Sequence, residues 1–144
     1  MAYFLAPFIG WLVSGTVKFL INFIRFGSEA KQRIGNGGFP STHTTVMTTT
    51  VMLIGLNEGF FSPVFGLGVA VTFIVIIDAT GLRRAVGYHA ERLNRMNAAF
   101  PTNGEQVKPL RESMGHTRTE ILGGLVLGCL VAFILNELFP EKLM

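Results

Sequence analysis

Charge is what this chain has least of. Only 15% of its 144 residues are charged, while 49% are hydrophobic. A soluble domain carries about 25% charge, and the mean hydropathy here is +0.47. The deficit excludes an ordinary water-soluble domain and points to a bilayer. Cysteine is nearly absent too. Cys129 stands alone inside an apolar run, which rules out an intrachain disulfide and leaves packing as its role. The opening MAYFLAPFIGWLV has no basic segment and no clear small-x-small cleavage pattern. It is therefore read as a retained span, not as a removable signal. There is no internal repeat and no low-complexity tract. The length suits one domain, 1–144.

Four apolar stretches are present, at 3–24, 44–61, 64–80 and 120–139. A spanning helix needs about 20 apolar residues. The first and last meet this easily, and the middle two lie near the lower limit. The short NEGFFSP between them allows only a turn, with Pro63 fitting the first turn of a helix. The fold class expected is all-α: an integral membrane bundle of about four transmembrane helices. A further amphipathic helix is expected in RRAVGYHAERLNRMNAAF, where small and apolar residues recur at helical spacing. It would lie at the interface or extend the third span. PTNGEQVKP, from 101, is turn chemistry.

Loops 25–43 and 81–118 hold ten of the 12 Lys and Arg. With four spans both loops fall on one side, and the positive-inside rule makes that side cytoplasmic. Both termini then lie on the opposite side. The membrane expected is a bacterial or organellar inner membrane.

Four polar groups sit at the ends of these spans. GGFPSTHTT, starting at Gly37, puts Ser41, Thr42 and His43 at a helix start. Free N–H groups and the helix dipole there attract anions, and His43 is placed to exchange protons. The plainer reading is an N-cap with an interfacial histidine. In GHTRTE, His116 and Glu120 are four apart and share a helical face. The carboxylate would fix the imidazole tautomer, while Thr117 and Glu120 also form a capping box. Lys18 and Arg25 share a face of the first span, and an intramembrane lysine is a functional candidate unless it merely snorkels. In DATGLRRAVGYHAERLN, Asp78 either orients Arg83 or Arg84, holds a metal, or marks a helix end. Paired arginines suit phosphate.

These segments resemble the type-2 phosphatidic acid phosphatase superfamily, and more closely its small divergent branch. That branch is related to acid phosphatases and vanadium-dependent haloperoxidases. The likeness runs over roughly Lys18 to Leu130 and rests on GGFPSTHTT, DATGLRRAVGYHAERLN and LRESMGHTRTEILGG. The superfamily's first motif is a lysine, six residues, then Arg-Pro. Lys18 and Arg25 match, with Phe26 for the proline. Its second is Pro-Ser-Gly-His. Pro40, Ser41 and His43 match, with Thr42 for the glycine. Its third is Ser-Arg, five residues, His, three residues, Asp. His116 and Glu120 match the end, with Glu for Asp. Arg111 stands one residue too close to be the arginine. Arg83 and His89 have the right separation, but Leu93 then replaces the acid. Superfamily phosphatases commonly have six spans, against the four counted here.

The resemblance implies a lipid phosphatase that needs no metal or other cofactor. His116 would be the nucleophile, Glu120 its orienting partner and His43 the acid. Lys18, Arg25, Ser41, Thr42 and Arg83 or Arg84 would bind phosphate, with Asp78 and His89 in support. The substrate would be an anionic phospholipid or a polyprenyl phosphate. The alternative is a headgroup-binding, transport or membrane-complex subunit with a degenerate site. No nucleic-acid partner is expected. A Gly-x-x-x-Gly spacing within GGLVLG, 123–128, suits close helix packing inside one chain or in a homodimer or larger complex.

Overall fold

The computed structural model describes residues 2–27, 38–100 and 108–140. Lys31, Arg33, the turn segment 101–107 and Lys142 lie outside the described residues. Five helices account for the described regular structure: α1 Ala2–Phe26, α2 Thr42–Glu58, α3 Pro63–Thr80, α4 Leu82–Ala99 and α5 Arg118–Leu138.

Local chemistry sets most of the helix ends. Ser41 caps α2 and Ser62 caps α3, each side chain accepting a backbone N–H of the first turn, and Pro63 opens α3. At α5 the full capping box forms between Thr117 and Glu120. The capped ends leave few orphan donors, which matters in a medium that supplies no water.

α2 is the centre of the bundle, and its threonines explain how. Thr44, Thr45 and Thr49 are fully buried. Thr45 and Thr49 donate their hydroxyls to the carbonyls four residues back, on Ser41 and Thr45. The hydroxyls are thereby spent inside the helix, and a polar-looking face packs like an apolar one. α5 lies parallel to α2. A side chain at Gly124 would collide with Ser41 O and Thr44, and one at Gly128 with Thr45 O and Thr48. The Gly-x-x-x-Gly spacing thus serves packing within the chain. α1 runs antiparallel to α2, with Tyr3 bonded to Glu58 at one end and Ser14 to Thr42 further along. α3 is also antiparallel, with Gly68 against Val51 and Gly55 against Phe65.

Three helices are long and apolar enough to cross a membrane: α1, the α3–α4 unit Pro63–Ala99, and α5. Four were expected. The one that falls short is α2, the 44–61 stretch, which has 17 residues. At 1.5 Å per residue it is about 26 Å long, and its threonines lower its hydropathy. α4 follows α3 with only Gly81 between them. The exposed large side chains of α1, α3 and α5 are overwhelmingly Phe, Leu, Ile and Val. In water such a surface would be untenable; against lipid it is the expected one.

Candidate functional site

One end of the bundle collects the start of α2, the start of α5, the end of α3 and the latter half of α1. Two backbone bonds hold it together. Ser41 N–H donates to Glu120 O at 2.9 Å, and His116 N–H donates to Ala79 O at 3.0 Å. Because Ser14 is level with Thr42, the twelve residues of α1 from Gly15 to Phe26 overhang the start of α2 by about 18 Å. That overhang forms one wall. The segment 108–116, lying along α4, forms the other.

Between the walls is an open cleft of about 740 Å³. Thr42 and His43 line it from α2, Lys18 and Asn22 from α1, Arg83 from α4, and Arg111, Ser113 and His116 from the second wall. Trp11, Leu12 and Phe19, all exposed on α1, line its apolar part. A second cleft of about 670 Å³ adjoins it and takes in Arg25, Arg84, Thr119 and Glu120. His116 borders both.

His43 and His116 lie close together. Their ring centroids are 6.3 Å apart, with the planes at 60°. His116 Nδ1 is 3.0 Å from Glu120 Oε2, and the same oxygen accepts Thr117 N–H at 3.0 Å. A carboxylate there accepts Nδ1–H, which leaves the lone pair on Nε2. His116 is 8% exposed. Lys18, Arg83 and Arg111 border the same cleft as His43 and His116, so the two histidines face a cationic lining. Among the described residues no three His, Cys, Asp or Glu side chains cluster as metal ligands.

Other residues are placed differently. Ser41 is fully buried and borders neither cleft; its hydroxyl accepts Thr44 N–H and Thr44 Oγ1–H. Asp78 is the ion-pair partner of Arg83, and Arg84 donates to Tyr88 Oη at 3.3 Å. Arg25 lines the second cleft while Lys18 lines the first, so the pair expected to act together is divided. His89 is exposed on α4 and lines neither cleft.

Two cleft residues lay beyond the sequence reading of the site. Asn22 is one turn from both Lys18 and Arg25, a spacing that signals a shared face. Arg111 fails the third motif's spacing by one residue, yet the non-helical path of 108–116 still brings it to the cleft.

A family model described as the Divergent PAP2 family matches residues 1–131. The chain is 31% identical over 115 residues to the uncharacterized membrane protein YuiD of Bacillus subtilis, covering 72% of this chain and 73% of that protein. No solved structure matches. The match over residues 1–131 and the apolar helices agree: this chain belongs to the Divergent PAP2 family and is a helical membrane protein.

Proposed function

We propose that this protein is a membrane phosphatase that hydrolyses a lipid phosphate or diphosphate through a phosphohistidine. The observation that carries the reading is the pairing of His116 with Glu120 at 3.0 Å, with His43 bordering the same cleft. In the first step His116 Nε2 attacks phosphorus. The P–O bond to the lipid breaks, and His43 protonates the departing oxygen. In the second step water attacks the phosphohistidine, the P–N bond breaks, and His43 takes the water's proton. Inorganic phosphate leaves and the enzyme returns to its starting state. Lys18 and Arg83 hold the phosphoryl oxygens and offset their charge in transit. Asp78 fixes the Arg83 fork, and Thr42 contributes its hydroxyl at the cleft wall.

The cleft's lining supports a lipid substrate. Its cationic end is continuous with an apolar end at Trp11, Leu12 and Phe19, which suits an amphiphile. α2 completes a four-span bundle, its short length covered by the surrounding helices. The basic loops favour the cytoplasmic leaflet by the positive-inside rule.

A second reading has its own support. Ser41 is withdrawn into a helix cap and Arg83 is already engaged by Asp78, so fewer groups await phosphate than an intact motif set would offer. That favours a headgroup-binding, transport or complex-forming subunit. The two readings separate on phosphate release from phosphatidate, phosphatidylglycerol phosphate and polyprenyl diphosphate in detergent. Release that disappears in His116→Ala supports the enzyme. Release equal in both proteins removes His116 as nucleophile, and no release from any substrate supports the binding role.

A further inference from the structure

The second half of DATGLRRAVGYHAERLN is unused by the chemistry above, although α4 carries it directly behind the cleft wall. Its residues Gly87, Ala90 and Asn94 recur at helical spacing on one face of α4. Gly87 and Ala90 are the buried residues of that helix. The segment 108–116 lies on this face. Asn94 Nδ2 donates to Leu110 O and to Glu112 Oε1, each at 2.8 Å. Asn94 Oδ1 accepts Leu110 N–H, also at 2.8 Å. The amide therefore satisfies both backbone groups of Leu110 and reaches the Glu112 side chain. At Gly87 the approach is closer still. A Cβ there would stand 2.5 Å from Glu112 O, which only a hydrogen at that position allows.

These anchors have one residue in common. Leu110 and Glu112 flank Arg111, and Arg111 lines the cleft with Lys18, His43 and His116. His116 has a separate tether, its N–H on Ala79 O. The segment has no helical ladder of its own between 108 and 117, so its attachment to α4 bears on where Arg111 stands. A guanidinium must be held to within a fraction of an ångström to give its planar fork to a phosphoryl group.

We propose that Arg111 binds the phosphoryl group, and that Asn94 and Gly87 are positioning residues that clamp its backbone against α4. Asn94 acts on the reaction through Arg111 alone. The proposal rests on the phosphatase reading and supplies the arginine that helical motif spacing does not.

Two variants test it by different routes. Asn94→Ala removes all three bonds. Gly87→Ala raises the helix propensity of α4, so it dislodges the segment without weakening the helix. Hydrogen exchange at the Leu110 amide reads the clamp, thermal unfolding in detergent reads the fold, and phosphate release reads the chemistry. In both variants Leu110 should lose its protection and unfolding should stay near that of wild type. Release should fall about tenfold or more, the scale of a lost well-placed hydrogen-bonded contact. In an Arg111→Ala background, Asn94→Ala should cost nothing further. A Leu110 amide that exchanges as fast in wild type as in Asn94→Ala overturns the clamp. So does a full second loss in the double variant. If the wild type releases no phosphate, the phosphatase reading itself fails. The clamp is then judged by calorimetric binding of short-chain phosphatidate across the same four proteins: a non-additive loss supports it, and an additive loss or none overturns it.

Discussion

Glu120 has two tasks on one oxygen. Its Oε2 accepts the Thr117 N–H of the capping box and meets His116 Nδ1, both at 3.0 Å. Glutamine serves a capping box as well as glutamate does, so Glu120→Gln separates structure from chemistry. It should leave thermal unfolding nearly unchanged. The neutral amide no longer selects the Nδ1–H tautomer or stabilises a cationic ring, and kcat should drop by roughly a thousandfold. Steady-state kinetics together with a melting curve check this; a variant that keeps full kcat would show that Glu120 only caps α5. The four-residue spacing made the pairing legible, but His116 precedes α5, and the capping box is what turns Glu120 back toward it. Ser41 was equally visible in sequence, and its hydroxyl faces into the α2 cap instead of a cleft. A helix N-cap and an anion cradle use the same residue types, and only packing decides between them.

Among the elements, α2 departs most from its sequence pattern. Its run, 44–61, is expected as a span near the lower length limit, and it is a 17-residue threonine-rich core helix. The ends of α1, α3 and α5 lie within two residues of the stretches read from hydropathy, because lipid exposure selects continuous apolar runs. The register of α2 against α5 had no such signal. It depends on two glycines meeting Ser41 and three threonines of a distant segment. Gly128→Val tests that contact. Its Cβ would stand 2.6 Å from Thr48 Cβ and 2.9 Å from Thr45 O. Overpacking of this kind costs about 1–3 kcal/mol. The variant should unfold at a lower temperature in detergent than wild type, followed by circular dichroism. An unchanged midpoint would mean that α2 and α5 are not packed in this register.

At the scale of the whole molecule, the arrangement is a short polar-faced helix wrapped by three apolar ones. The ends that carry Lys18, His43, Arg83, Arg111 and His116 open into one cleft. The all-helical class and the His116–Glu120 contact could be read from sequence because each is a local pattern, whereas the approach of His43 to His116 is a long-range one. The division of Lys18 from Arg25 between two clefts could not, since it depends on where the 108–116 segment runs. The central claim is that phosphate passes through His116. The most direct measurement is to quench the protein rapidly after mixing with a lipid phosphate labelled in its phosphoryl group, and to ask where the label is bound. An acid-labile, alkali-stable adduct on His116, absent in His116→Ala, is the expected result. Release of phosphate with no protein-bound label at any time, undiminished in His116→Ala, would contradict it.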